Sequence, residues 1–338
     1  MQRKLIWRFS SYALDWLIII CAVFIFQRIG DIAGHRQHFS LTDIRIKYEY
    51  TGPSTIPNYA NVMLSVVFPA LTILVLLTVL ERRLASHRTQ QSGFMVLYTI
   101  NTSLLGLALS VSLSQVFTNA LKVTIGRPRP DLLARCMPTT TAVDPVPYGL
   151  STSAICTQTN AAILNDGFRS FPSGHSSMAF SGLAYLTLFL AWRLSLFNKK
   201  GQTWKWTVVM LPFLIASLVA ISRIKDNRHH PFDVLFGSGL GIVTSFIAFF
   251  QYHPELTRVH NRFPVRFKEN SRQTSMADDP ETNVDDVPEE QPHRDIELQR
   301  YGSSNSQRSD WSAEQDIVPP GVSGSPEASS RRPLVGAR

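Results

Sequence analysis

Six stretches of the chain are long, apolar and almost free of charge. They cover residues 9–26, 51–80, 89–121, 176–192, 206–222 and 234–252, and Asp15 is the one charged residue within them. A helix that crosses the hydrocarbon core of a bilayer needs about 20 mostly apolar residues, with about 17 as a lower bound. Helices of soluble proteins usually keep a polar face instead. We therefore predict an all-α fold, a polytopic membrane bundle with six transmembrane helices.

The two ends of the chain differ from this apolar middle. The first stretch follows the basic sequence MQRKLIWRF, but no small-residue cleavage pattern follows Phe26, so we predict a retained span rather than a cleaved signal peptide. From His253 onward Ser, Pro, Asp, Glu, Gln and Arg dominate, and such a segment cannot bury enough apolar surface to order itself. We predict a six-span membrane domain over 1–252 and a disordered tail over 253–338.

Six spans place both termini on one side of the membrane and the loops 27–58, 122–175 and 223–233 on the other. Lys and Arg near span ends favour the cytoplasm, and the side with the termini has more of them once the cations within the motifs are set aside. We predict cytosolic termini and loops on the lumenal or extracellular side of an endomembrane (vacuole, Golgi or ER) or of the plasma membrane. The net charge of +8 is spread over span ends and loops, so we predict no nucleic-acid partner.

The first of three polar clusters on the loop side is KVTIGRPRPD, which begins at Lys122 and contains Arg129. A guanidinium grips an anion through two parallel hydrogen bonds, and an ammonium adds a point charge. The cluster is therefore a candidate anion site. The alternative is a pair of interfacial cations that reach toward lipid headgroups.

The second cluster is FPSGHSS, directly before the fourth apolar stretch. Pro172 and Ser173 suit the start of a helix, and Gly174 lets the backbone come close to a ligand. Free N–H groups at a helix N-terminus favour anions, so His175 would lie at the edge of an anion site, where it can give a proton to a leaving group. The alternative is a helix cap beside a surface histidine.

The third cluster is SRIKDNRHHPFD, which ends at Asp233. If Pro231 starts a helix, Asp233 lies in its first turn, where a carboxylate is favoured. A carboxylate bonded to one ring nitrogen of His229 would fix the tautomer and free the other nitrogen to attack. His230 is a rival nucleophile, and an Asp cap beside two exposed histidines is the simpler alternative. A zinc site is a further alternative, opposed by the three nearby cations, with the ligands His175, His229, His230 and Asp233.

Together the three clusters resemble a known family. The patterns K-x6-RP, PSGH and SR-x5-H-x3-D match, in residue, spacing and order, the type 2 phosphatidic acid phosphatase family, also called lipid phosphate phosphatases. The resemblance covers about residues 1–252 and implies a helical core of the haloperoxidase-like kind. The stretch 38–57 is similar to the first lumenal loop of the diacylglycerol pyrophosphate phosphatase branch.

The resemblance implies a mechanism that agrees with the chemistry of the clusters. His229 would attack phosphorus and form a phosphohistidine, Asp233 would orient it, and His175 would protonate the leaving oxygen. The residues implied to hold the phosphoryl group are Lys122, Arg129, Ser173, Gly174 and Arg223. Fixed cations stabilise the charge of the transition state, so the expectation is a Mg-independent phosphatase with no cofactor and no metal. The expected substrate is a phospholipid in the bilayer: phosphatidate, lysophosphatidate or diacylglycerol pyrophosphate.

Two other functions stay open at this point. One is a phosphatase of sphingoid-base, polyprenyl or sugar phosphates, since no motif reads the glycerol or acyl part of a lipid. The other is a non-catalytic membrane scaffold or transporter of the same fold, which would be expected to have lost His175, His229 or Asp233. No motif indicates the oligomeric state.

The chain has three cysteines. Cys21 falls inside the first span, where we predict a small apolar filler. Cys136 and Cys156 both lie in the long loop before the fourth span, either as free thiols or as a disulfide. Disulfides persist in lumenal and extracellular compartments, so a lumenal loop predicts the bridge. Closing a loop of that size stabilises the fold by roughly 3 kcal/mol.

Overall fold

A computed structural model describes residues 2–85, 91–198, 201–254 and 256. Over these residues the chain is helical, and its β-type pairings are two isolated bridges. The α-helices are α1 (Gln2–Asp31), α2 (Asn58–Val62), α3 (Phe68–Ala85), α4 (Gln91–Ile125), α5 (Leu132–Cys136), α6 (Ala161–Gly167), α7 (Gly174–Arg193), α8 (Thr203–Lys225) and α9 (Pro231–Tyr252). A π-helical segment, Met63–Val67, joins α2 to α3. The all-α prediction is confirmed, and the predicted tail lies outside the described residues from 257 onward.

Five helical stretches are long and apolar enough to cross a membrane. They are Ser11–Asp31, Asn58–Val79, Val96–Ile125, Thr203–Lys225 and Pro231–Tyr252, and they match the first, second, third, fifth and sixth predicted spans. The fourth predicted span is α7, which packs against α4, α8 and α9 and buries 15 of its 20 residues. Protein surrounds this helix, so it tolerates small and polar residues such as Ser177 and Ser181. The chain is therefore an integral membrane helical bundle with α7 at its centre.

The first turns of α7 and α9 are in direct contact. The N–H of Ser173 donates to the carbonyl oxygen of Asp233 over 3.0 Å. A Cβ at Gly237 would lie 2.6 Å from the carbonyl oxygen of Ser173, so glycine is required for this approach. The contact brings the second and third sequence clusters side by side at one end of the bundle.

The bundle extends one residue beyond the predicted domain boundary. His253 was assigned to the tail, but its side chain is buried and stacks on Phe249 with ring centroids 4.6 Å apart. One of its ring nitrogens, Nε2, lies 3.1 Å from the hydroxyl of Ser103. The prediction ended the bundle at Tyr252, the last residue of the sixth charge-free stretch. His253 still packs inside the bundle, because its ring finds hydrogen-bond partners there.

The loops that connect the spans on the motif side form a small core of their own. Its buried side chains come from the segment after α1 and from α5, α6 and the residue after α6: Phe39, Ile46, Leu132, Leu164 and Phe168. A disulfide joins Cys136 to Cys156, with Cα atoms 4.6 Å apart, which confirms the predicted pairing. Cys21 lies within the first span, Ser11–Asp31, as predicted, but its side chain is exposed on α1 rather than packed among other helices.

The disulfide generates the first prediction. Protein isolated from membranes with free thiols blocked should yield a Cys136–Cys156 crosslinked peptide in non-reducing mass spectrometry, since the two thiols are close enough to bond only in this fold of the loop. Cys21 should be recovered in blocked form and is the internal control. Recovery of Cys136 and Cys156 as blocked free thiols would contradict the bridge.

Candidate active site

A cavity of about 420 Å³ lies where α4 and α8 end and where α7 begins. Five of the eight predicted site residues line it, namely Lys122, Arg129, His175, Arg223 and His229. The other lining residues are Gly52, Ser54, Pro57, Asn58, Asp166 and Arg228. The three sequence clusters therefore meet in one cavity, and the segment before α2 closes it from a fourth direction.

His229 is held with one ring nitrogen available. Its side chain is buried, and Nδ1 lies 2.6 Å from the carbonyl oxygen of Ser170. A carbonyl can only accept a hydrogen bond, so Nδ1 bears the proton and Nε2 keeps its lone pair. Burial, together with the charges of Arg129 and Lys122, lowers the pKa of His229 well below its usual value. The residue is therefore a neutral imidazole with a free nucleophilic nitrogen.

The sequence predicted that the carboxylate of Asp233 bonds to the ring of His229, and this prediction was wrong, because Nδ1 of His229 bonds to Ser170 instead. The carboxylate of Asp233 accepts from the hydroxyl of Ser170 over 2.5 Å and from Arg127 over 2.5 Å. It also accepts from the backbone N–H of His230 over 3.2 Å. Asp233 lies in the first turn of α9, and Ser170 stands between the carboxylate and the imidazole. Asp233 thus positions the carbonyl that fixes the His229 tautomer, rather than the ring itself.

His175 presents a second free ring nitrogen. It lies in the first turn of α7 and lines the cavity. Its Nε2 is buried and has no hydrogen-bond partner among the described residues. Because His175 and His229 line the same cavity, two imidazoles are available there for attack and for proton transfer.

The rival histidine, His230, is directed elsewhere. Its Nε2 lies 3.2 Å from the carbonyl oxygen of Pro128, and the residue lines a separate cavity of about 400 Å³. Among the described residues, no group of three or more His, Cys, Asp or Glu side chains is arranged to hold a metal ion. The geometry therefore separates His230 from the cavity that His175 and His229 share.

The first turn of α7 uses its small residues in two ways. Ser173 is buried and caps the helix, since its hydroxyl accepts from the N–H and the hydroxyl of Ser176. A Cβ at Gly174 would lie 3.0 Å from Nζ of Lys122. Glycine at this position therefore leaves room for the Lys122 ammonium. Ser173 and Gly174 are not among the residues that line the cavity; they shape the helix end and the position of Lys122. Their predicted contact with phosphoryl oxygens stays a prediction.

Carboxylates that the sequence analysis missed orient two of the arginines. Asp166 accepts from Arg129 over 2.7 Å and from Arg135 over 2.9 Å. Partial burial raises the pKa of Asp166, but the charges of Arg129, Arg135 and Lys122 outweigh burial and lower it to about 2. Asp166 is therefore ionised and holds Arg129 at the cavity wall. It belongs to no motif, and only the fold brings it near Arg129.

Arg223 is oriented in the same way. It is buried and donates to Asp226 over 3.1 Å, and Asp226 in turn accepts from the N–H of Thr55 over 2.8 Å. Arg228, also missed, lines the cavity beside it. The sequence does contain a signal for Arg228: it directly precedes His229 in a cluster that is already rich in cations.

Comparison with known proteins agrees with this geometry. The PAP2 superfamily matches residues 103–257. The probable diacylglycerol pyrophosphate phosphatase 1 of Schizosaccharomyces pombe is 33% identical over 261 residues, which are 76% of this chain and 86% of the relative. The chain belongs to the PAP2 superfamily. All eight predicted site residues lie within the part of the chain that this family matches.

Two further relatives are similar over most of their length. Diacylglycerol pyrophosphate phosphatase 1 of Saccharomyces cerevisiae is 36% identical over 222 residues, or 65% of this chain and 72% of the relative. Lipid phosphate phosphatase 2 of Arabidopsis thaliana is 31% identical over 243 residues, or 71% of this chain and 77% of the relative. The family resemblance seen in the three sequence clusters is thus confirmed along the chain.

The cations of the cavity generate a prediction about pH. Arg129→Gln removes one of the charges that lower the pKa of His229, so this pKa should rise. Activity is lost as pH falls through the pKa of the nucleophile, so the acid limb of the kcat/KM profile should move to higher pH. Arg129→Lys keeps the charge and should leave the midpoint close to that of the unaltered protein.

The measurement is kcat/KM for one substrate from the lowest pH at which the protein stays folded up to about pH 8, since the pKa of His229 lies below the usual range of histidine titration. Use of the same substrate throughout cancels the titration of its phosphate. An acid limb that stays in place or moves to lower pH in Arg129→Gln would contradict the electrostatic account.

Proposed function

We propose that this chain is a membrane lipid phosphate phosphatase that hydrolyses phosphomonoesters or pyrophosphates of lipids through a phosphohistidine. The observation that supports this most is that two imidazoles, whose Nε2 atoms have no hydrogen-bond partner within the described part of the chain, share one cavity with Lys122, Arg129 and Arg223. Such a cavity suits phosphoryl transfer, which depends mainly on positioning and on stabilisation of charge. The named activities of the similar PAP2 proteins point to the same substrate class.

The reaction would proceed in two displacements. In the first, His175 is protonated on Nε2 while the negative phosphate is bound. Nε2 of His229 attacks phosphorus, the bond from phosphorus to the lipid oxygen breaks, and His175 gives its Nε2 proton to that oxygen. In the second, water attacks the phosphohistidine, its proton passes to His175, and inorganic phosphate leaves. The cations hold the three outer phosphoryl oxygens throughout. Fixed positive charge in a dry site stabilises the transition state without reorganisation, and this supports a Mg-independent enzyme.

The cavity lies at the membrane face that holds the disulfide-bonded loop. A bond between Cys136 and Cys156 is stable in lumenal or extracellular surroundings and rare in the cytosol. This supports a substrate site on the lumenal or extracellular face and cytosolic termini. A lipid in that leaflet would present its headgroup to the ends of α4, α7 and α8 while its acyl chains stay in the bilayer.

The test compares two neighbouring histidines. Purified protein in mixed micelles with EDTA should release phosphate from phosphatidate. His229→Ala should lower kcat by at least about a thousandfold, because the loss of a nucleophile removes the chemical step. His230→Ala, whose ring faces the other cavity, should stay within about tenfold of the unaltered protein.

Both variants must elute as folded protein on size-exclusion chromatography for the comparison to count. An inactive His230→Ala beside a normal His229→Ala would overturn the assignment of the nucleophile. Loss of activity in EDTA with recovery on added magnesium would contradict the metal-independent reaction.

A further inference from the structure

The cavity has more positive charge than one phosphate requires. Four cations line it, namely Lys122, Arg129, Arg223 and Arg228, against the single carboxylate of Asp166. A phosphomonoester brings about two negative charges at neutral pH. Lys122, Arg129 and Arg223 already match that charge, so Arg228 is a surplus cation for a monophosphate.

Arg228 is held rigidly with donors to spare. Its Nη2 donates to the carbonyl oxygen of Gly52, and its guanidinium lies 4.9 Å from the ring centroid of Tyr50. Its Nε is buried and has no hydrogen-bond partner among the described residues. A guanidinium presents five N–H donors in a fixed fork, and Arg228 lines the cavity, so the Nη donors that do not bond to Gly52 can bind an anion there.

Arg228 is bonded to the short segment before α2. Its Nη2 donates to the carbonyl oxygen of Gly52. Gly52, Ser54, Pro57 and Asn58 of this segment line the cavity together with His175, the proposed proton donor to the leaving group. In-line displacement places the nucleophile and the leaving group on opposite sides of phosphorus. A leaving group that lies against this segment is next to Arg228.

We propose that Arg228 and the segment 52–58 form a subsite for the second phosphate of a diphosphate headgroup, and that Arg228 determines the preference for diphosphate lipids over monophosphate lipids. This inference rests on the proposed function and names a residue of the same site that selects the substrate. The cavity of about 420 Å³ is within the range of small-molecule pockets and has room for more than one phosphoryl group.

The chemistry of the subsite follows from the two displacements. With a diphosphate lipid, Nε2 of His229 bonds to the terminal phosphorus and the bond from that phosphorus to the bridging oxygen breaks. The leaving group is then the lipid monophosphate, which takes a proton from His175 on the bridging oxygen. Arg228 would bind the outer oxygens of this departing phosphate. A monophosphate lipid has no second phosphate, so it would leave Arg228 without this contact.

The test uses two lipids with the same diacylglycerol, phosphatidate and diacylglycerol pyrophosphate, in identical micelles. In Arg228→Gln the ratio of kcat/KM for the pyrophosphate to that for phosphatidate should fall by about tenfold or more, as expected for loss of a charge-assisted hydrogen bond. Arg228→Lys keeps the charge without the fork and should show a smaller fall in the ratio. Lys225→Gln, at an exposed position three residues away, is the matched control and should keep the ratio.

A fall of equal size for both lipids in Arg228→Gln would overturn the proposal, because it would make Arg228 a general phosphate ligand or a structural residue. An unchanged ratio would overturn it as well.

A binding measurement separates this inference from the proposed function. Inorganic pyrophosphate should raise the unfolding temperature of the detergent-solubilised protein more than inorganic phosphate at equal concentration, since tighter binding gives more stabilisation. The difference should disappear in Arg228→Gln. This readout needs no turnover, so it tests the subsite even if neither lipid is hydrolysed. Equal stabilisation by the two anions in the unaltered protein would contradict the subsite.

Discussion

Repulsion among four cations in one partly dehydrated cavity is the constraint on which the rest of this site depends. The charge of Arg129 is balanced by its ion pair with Asp166, and the charge of Arg223 by its ion pair with Asp226. Lys122 and Arg228 have no carboxylate partner among the ion pairs of the described residues. The cavity therefore holds net positive charge when empty, and an anion that enters it relieves repulsion as well as gaining hydrogen bonds. This favours a phosphate over a neutral headgroup.

The same charges govern the histidines. Positive surroundings disfavour imidazolium, so His229 stays neutral, and the carbonyl of Ser170 leaves its Nε2 with a lone pair. Binding of the phosphate and activation of the nucleophile are thus two results of one arrangement. The buried helix α7 holds this arrangement in place, because it contacts α4, α8 and α9 and joins the parts of the site that each contributes.

Much of this could be predicted from the sequence, and the exceptions have physical reasons. Charge-free stretches predict the six long helices but not which of them faces lipid, and α7 is instead buried against α4, α8 and α9. Spacing placed Asp233 near His229 but could not show that Ser170 stands between them, since Ser170 comes from a loop distant in the chain. Asp166 was missed because it pairs with Arg129 only in the folded loop. The tautomer of His229 depends on a backbone carbonyl, which no residue pattern encodes.

The central claim is that His229 carries the phosphoryl group between substrate and water, and trapping that species tests it most directly. Protein mixed with a lipid labelled at its terminal phosphate would be quenched within milliseconds in alkali, which preserves phosphohistidine, then digested and sequenced by mass spectrometry. The account predicts label on the peptide that contains His229, at the His229 side chain and not at His230. Label on His230 or His175, or rapid turnover with no labelled histidine, would contradict it.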